Sequence, residues 1–192
     1  FVSNFERIIG SQYADSLTGD GGDNVLTGGA GGDALHGGLG IDAADYWGAS
    51  QGVALDLGLG VGTMGDADGD SFTGIEDVVG SAYQDLLTGD GGDNTLTGGT
   101  GGDTLDGGLG SDTASFAGSS AAVAINLGSG TASGGDADGD TLVSMENLVG
   151  SEFDDILIGD LGANVLTGGA GADVLDGEGG DDWVSYASST AI

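Results

Sequence analysis

Four back-to-back nonapeptides recur three times, at residues 10–45, 80–115 and 150–185, so that Gly10, Gly80 and Gly150 open equivalent blocks of a 70-residue period. A repeat of nine leaves room for one turn and one very short strand, which cannot enclose a core. Its apolar side must therefore be buried against neighbouring repeats. The clearest units are GGAGGDALH at 28–36, GGLGIDAAD at 37–45, GGTGGDTLD at 98–106 and GGAGADVLD at 168–176. Glycine holds positions one, two and four, aspartate the sixth, and an apolar residue, leucine in three of these four units, the eighth.

Glycines in the first half of each unit let the chain curl until several carbonyls point at one spot. The last three residues suit a short strand with its middle side chain facing inward. Leu17, Leu26, Leu35, Leu87, Leu96, Leu105, Leu157, Leu166 and Leu175 fill that slot, and Ala44, Ala114 and Val184 fill it in the last unit of each block. Two nonapeptides per coil would place one leucine column on each side of a flattened β-solenoid. The smaller closing residues predict a core that tapers where a block meets its connector.

Residues 18 apart then fall on successive coils at the same edge, about 4.8 Å apart along the stack. Asp15 pairs with Asp33, Asp85 with Asp103 and Asp155 with Asp173 on one edge. Asn24 pairs with Asp42, Asn94 with Asp112 and Asn164 with Asp182 on the other. Carboxylates, amide oxygens and turn carbonyls are hard oxygen ligands on a flexible loop, a set that suits Ca²⁺ over zinc, copper or the tighter Mg²⁺ octahedron. The asparagines keep an oxygen and lose a charge. Asp20, Asp90 and Asp160, with Asp23 and Asp93, add to the field there. Tyr13, Tyr83 and Phe153 replace the fourth-position glycine in the opening units, which predicts fewer ligands in those coils.

Charge sharpens the demand for cations. The chain of 192 residues carries 32 acidic residues against one arginine and no lysine, for a formal net charge of −31. Two carboxylates 4 Å apart repel by about 1 kcal/mol even in bulk water, and the screening length is about 8 Å at physiological salt. Ordering 45 glycines adds backbone entropy to be overcome. Each ion at ten times its dissociation constant contributes about 1.4 kcal/mol, so six sites give roughly 8 kcal/mol, comparable with a whole domain's stability. The expectation is a chain largely disordered without calcium and rigid with it. Nucleic acid is a poor partner for such a surface.

The connectors, 46–79 and 116–149, are themselves repeats. Each opens on an aromatic residue (Tyr46, Phe116) and carries an apolar alternation, GVALDL at 52–57 or AVAINL at 122–127, that reads as a strand. A GDADGD turn follows, and then FTGIEDVVG or LVSMENLVG, in which Ile75, Val78, Met145 and Leu148 are expected to face the stack. Asp66, Asp68 and Asp70, like Asp136, Asp138 and Asp140, match the first ligands of an EF-hand loop. The match then fails at the sixth position (Ser71, Thr141) and the twelfth (Asp77, Asn147). These aspartates are candidates for further calcium in a loop of another kind, against the alternative of a solvated acidic turn.

With these residues in view, the three blocks resemble the RTX (repeats-in-toxin) calcium-binding β-roll. The run from 125 to 160, INLGSGTASGGDADGDTLVSMENLVGSEFDDILIGD, is similar to the stretch leading into the roll of serralysin-type secreted metalloproteases. The resemblance covers almost the whole chain. It implies an all-β fold, a right-handed parallel β-roll or β-solenoid with Ca²⁺ held in the turns by sixth-position aspartates and carbonyls. It also implies export by a type I secretion system from a Gram-negative bacterium to the medium or cell surface. Absence of cysteine fits a protein stapled by metal. No apolar run approaches the length of a bilayer-crossing helix, so no membrane span of that kind is expected.

Catalysis has little to draw on. The only histidine, His36, stands at a ninth position where a surface role is expected, no HExxH or GxSxG motif occurs, and the paired carboxylates are periodic. Trp47 and Trp183 are expected to cap the packing. Residues 1–9 align with 71–79 and 141–149, the tail of a connector, and residues 186–192 begin another, which predicts a segment of a longer tandem array, monomeric within it. Two functions remain open on these grounds: a calcium-rigidified extender in a large secreted or surface protein such as an adhesin, or an export-and-folding module of a secreted protease, lipase or epimerase. A continuous rod with about four coils in each 70-residue period would be about 50 Å long.

Overall fold

A three-residue strand per nonapeptide requires that hydrogen bonding be almost wholly between coils, and the computed structural model, which describes residues 5–186, has that arrangement. In the first unit the strands are β1 (Arg7–Ile9), β2 (Ser16–Thr18), β3 (Val25–Thr27), β4 (Ala34–His36), β5 (Ala43–Asp45), β6 (Ala54–Asp56), β7 (Val61–Met64), β8 (Ser71–Thr73) and β9 (Asp77–Val79). The second unit continues with β10 (Leu86–Thr88), β11 (Thr95–Thr97), β12 (Thr104–Asp106), β13 (Thr113–Ser115), β14 (Ala124–Asn126), β15 (Thr131–Ser133), β16 (Thr141–Val143) and β17 (Asn147–Val149). Strands β18 (Ile156–Ile158), β19 (Val165–Thr167), β20 (Val174–Asp176) and β21 (Trp183–Ser185) complete it. Most of the connector start expected at 186–192, and the first four residues of the connector end expected at 1–9, lie outside the described residues.

Among the described residues the strands make two sheets, one on each side of the coil. Sheet A has nine strands in the order β1-β3-β5-β9-β11-β13-β17-β19-β21, all parallel. Sheet B has twelve, β2-β4-β8-β7-β6-β10-β12-β16-β15-β14-β18-β20. Both are built on the 18-residue register, Leu17 opposite Leu35 in sheet B and Leu26 opposite Ala44 in sheet A. This is a β-roll.

The connectors are part of it. In sheet A each one steps the register by 34 instead of 18, from Ala43 to Asp77 and from Thr113 to Asn147, without losing a strand pair. In sheet B each inserts three strands where a regular coil would insert one, through the antiparallel pairings β6–β7–β8 and β14–β15–β16. A 70-residue unit therefore adds three coils to sheet A and not four. Its nine strands span about 38 Å at about 4.8 Å per step and the twelve of sheet B about 53 Å, either side of the 50 Å expected from the sequence.

The interior is one apolar column running through blocks and connectors alike. The leucines of the eighth positions are buried from Leu17 to Leu166, and Leu175 is partly so. Ala44 and Ala114 are fully buried in this column. Tyr46, Val53, Leu55, Phe72 and Ile75 continue it under the inserted strands, and Phe116, Val123, Ile125, Leu142 and Met145 repeat the pattern. The Tyr46 and Phe72 rings meet edge to face, centroids 6.5 Å apart. Val184 is half exposed on β21, the last strand among the described residues. Trp47 and Trp183 do not cap the core: they are 56% and 74% exposed. No helix among the described residues is long and apolar enough to cross a membrane.

Candidate metal centres in the turns

Each sixth-position side chain sits where the turn enters its strand, next to the first glycine of its own unit. At Gly28 a Cβ would collide with Oδ2 of Asp33 and lie 3.1 Å from its Cγ, so only glycine lets the carboxylate fold back over the turn. One carboxylate oxygen then reaches the preceding coil. The Asp15 N–H donates to Oδ1 of Asp33 at 2.8 Å, Asp85 N–H to Asp103 at 2.9 Å and Asp155 N–H to Asp173 at 3.0 Å. On the other edge Asn24 N–H donates to Asp42 at 2.8 Å, Asn94 to Asp112 at 2.8 Å and Asn164 to Asp182 at 3.0 Å. The structure thus brings together every pair expected from the 18-residue spacing, as a ladder of backbone donors and carboxylate acceptors.

The connectors complete both ladders. Asp70 accepts from Asp33 N–H and Asp140 from Asp103 N–H, each at 2.7 Å, so the last aspartate of each DADGD run occupies a sixth-position place. Asp85 and Asp155 in turn accept from Val53 and Val123 N–H at 2.7 Å. On the other edge Glu76 accepts from Asp42 N–H at 2.9 Å and Glu146 from Asp112 N–H at 2.8 Å. Sequence reading missed these glutamates, because the ladder reaches them across a 34-residue step; their shared place in IEDVVG and MENLVG was the available signal. Asp66 and Asp136 lie in the short 3-10 turns that precede Asp70 and Asp140, and Asp68 and Asp138 are exposed.

The second oxygen divides the ladder into three kinds of rung. In the opening units a second-position serine covers it: Ser11, Ser81 and Ser151 N–H donate to Oδ2 of Asp15, Asp85 and Asp155 at 2.6 Å, with their hydroxyls at 2.8 Å from the same carboxylates. At the asparagines the amide is engaged at both ends. Oδ1 of Asn24, Asn94 and Asn164 accepts from Asp20, Asp90 and Asp160 N–H, and Nδ2 donates to the carbonyls of Phe5, Glu76 and Glu146 on the preceding coil. At Asp33, Asp42, Asp103, Asp112 and Asp140 the second oxygen is buried and has no protein partner.

A buried carboxylate oxygen without a donor is costly, and its effect on the acids is visible. Burial, augmented by Asp140 and Asp85 nearby, pushes Asp103 up to about 7. Burial likewise raises Asp140 to about 6, with Asp136, Asp138 and Asp85 adding to it. Asp33, Asp42 and Asp112 are raised for the same first reason. A cation beside these oxygens relieves the penalty. Among the described residues no three acidic or imidazole side chains converge on one point; an ion at these oxygens would have one or two carboxylates beside it and turn carbonyls for the remainder. An all-oxygen set of that kind fits Ca²⁺.

His36 lies on the outer face of sheet B with Nδ1 2.5 Å from the Thr73 hydroxyl. The one arginine, Arg7, forms an ion pair with Asp45 on the outer face of sheet A.

No curated protein matches the chain. Residues 9–43, 79–114 and 149–184, more than half of its length, match the family described as RTX calcium-binding nonapeptide repeat (4 copies). Those matched segments hold the nonapeptide rungs of both ladders, and the chain belongs to the RTX calcium-binding nonapeptide repeat family, binding several calcium ions along its β-roll.

Proposed function

We propose that the chain is an extender: a segment that folds on calcium outside the cell and holds apart the neighbouring parts of a large secreted or surface protein. The observation that supports this most is the splicing of the connectors into sheet A. Register passes from Ala43 to Asp77 and from Thr113 to Asn147 with no unpaired joint, so that repeats lengthen one stiff roll. In this reading Asp42, Asp103 and Asp112 ligate calcium through their free oxygens, and Asp173 and Asp182, on the last described coils, extend the same two rows. Asp15, Asp85, Asp155 and the three asparagines are hydrogen-bonded rungs between ion-bearing ones, and Asp66, Asp68, Asp136 and Asp138 contribute field. Calcium supplies the positive charge that the chain lacks.

Calcium modules outside cells commonly bind with dissociation constants of about 10⁻⁴ to 10⁻³ M. Such a chain stays unfolded where free calcium is scarce, which suits passage through a type I secretion channel of a Gram-negative cell. The extender reading is tested by small-angle scattering on chains of two, three and four 70-residue units in calcium. The longest dimension is expected to grow by about 14–24 Å per unit, between the three strand spacings added in sheet A and the five added in sheet B. Units that behave as separate bodies on loose joints contradict it.

A further inference from the structure

The two connectors share their ladder bonding, and within the ladder they differ at one atom. Tyr46 and Phe116 both leave sheet A with their N–H bonded at 2.8 Å, to the Val79 and Val149 carbonyls, and both rings are buried. Asp70 and Asp140 both accept the preceding rung's N–H through Oδ1 at 2.7 Å. In the first connector the Tyr46 hydroxyl donates to Oδ2 of Asp70 at 2.6 Å. In the second there is no hydroxyl on Phe116, and Oδ2 of Asp140 is left buried without a partner, on a side chain only 4% exposed. Oδ2 of Asp103, on the preceding coil, is in the same condition. The Asp103–Asp140 step therefore presents two unpartnered buried carboxylate oxygens, and the Asp33–Asp70 step one.

We infer that the second connector holds a calcium ion between Asp103 and Asp140, and that the first does without its counterpart because the Tyr46 hydroxyl occupies the corresponding oxygen of Asp70. Elsewhere in the ladder, at the serine-capped and asparagine rungs, a protein donor likewise stands where other rungs leave an oxygen free. A hydroxyl donates one proton to one oxygen and adds no charge, whereas a divalent ion bridges both carboxylates and offsets their repulsion. The first connector accordingly gives up an ion and keeps its geometry, and the two joints of the roll differ in their dependence on calcium. The inference rests on the reading that ladder aspartates ligate calcium through their free oxygens.

Ions are counted by native mass spectrometry, with affinities from calorimetry, on the whole chain and on Tyr46→Phe and Phe116→Tyr. Each substitution installs the side chain that the other connector already carries in the same backbone setting. Tyr46→Phe is expected to gain one bound calcium and Phe116→Tyr to lose one. Unchanged counts and affinities in both variants, with the unaltered chain still binding several ions, overturn the inference and leave the ladder reading standing. An unaltered chain that binds none overturns both. Anomalous scattering from calcium-loaded crystals of the unaltered chain gives an answer that needs no variant: density is expected between Asp103 and Asp140 and none at Asp70, and density at both steps or at neither contradicts it.

Discussion

A ladder aspartate faces two ways, and its two oxygens serve different ends. Oδ1 sets the register by accepting an N–H from the preceding coil, as Asp103 does from Asp85. Oδ2, where no serine or tyrosine covers it, as at Asp103 and Asp140, is left in a buried place where only a cation or a proton relieves it. Burial holds Asp103 at about 7 and Asp140 at about 6, above the ordinary carboxylate value near 4. The folded chain without metal therefore takes up protons that the unfolded chain releases. Its stability is greatest below about pH 4 and falls as pH rises through the folded values, up to about pH 7. In excess chelator, acidification from pH 8 to pH 5 is expected to increase the β signal by circular dichroism, and the calcium midpoint is expected to rise over the same interval as protons compete. No change with pH in either quantity contradicts this account of the oxygens. The sequence carried much of it, since spacing alone paired Asp15 with Asp33 and Asn24 with Asp42. It did not reveal which oxygens were free. That depends on a serine hydroxyl at position two, on an amide turned toward the preceding coil, or, for Asp70, on a tyrosine that sequence spacing does not link to it, Tyr46.

Three-residue strands are legible when each repeats a pattern, and the eighth-position residues located those of all three blocks. The connectors were harder. Residues 52–57 and 122–127 read as strands and are represented by β6 and β14, but the return strands β7 and β15 run through GVGTM and GTASG, where glycine removes the alternation that marks a strand. Missing them turned a three-coil unit into four. The same inserted strands explain why each connector carries the bulkiest core residues. Two surplus strands in sheet B need filling from beneath, and Tyr46, Val53, Leu55 and Phe72 supply the volume. Phe72→Ala is expected to destabilise the calcium-loaded roll by about 3–5 kcal/mol, read as a lowered denaturant midpoint. A loss under about 1 kcal/mol would mean that the first connector is peripheral to the core.

At the scale of the molecule, a net charge of −31 and 45 glycines oppose folding, while the leucine column and the interstrand bonds favour it. The described roll has no second hydrophobic layer and no disulfide to add, and on the proposed reading bound calcium decides the balance. Because both sheets run unbroken through the connectors, the transition is expected to be shared along the chain instead of confined to single blocks. The measurement that bears most directly on this is a calcium titration from excess chelator at pH 7.5, followed by circular dichroism and by hydrogen exchange at the ladder amides of Asp15, Asp33, Asp85 and Asp103. Little β signal and no protection are expected before calcium is added, then a steep joint rise in both. Full β structure with protected ladder amides in excess chelator would contradict calcium as the agent that folds the roll.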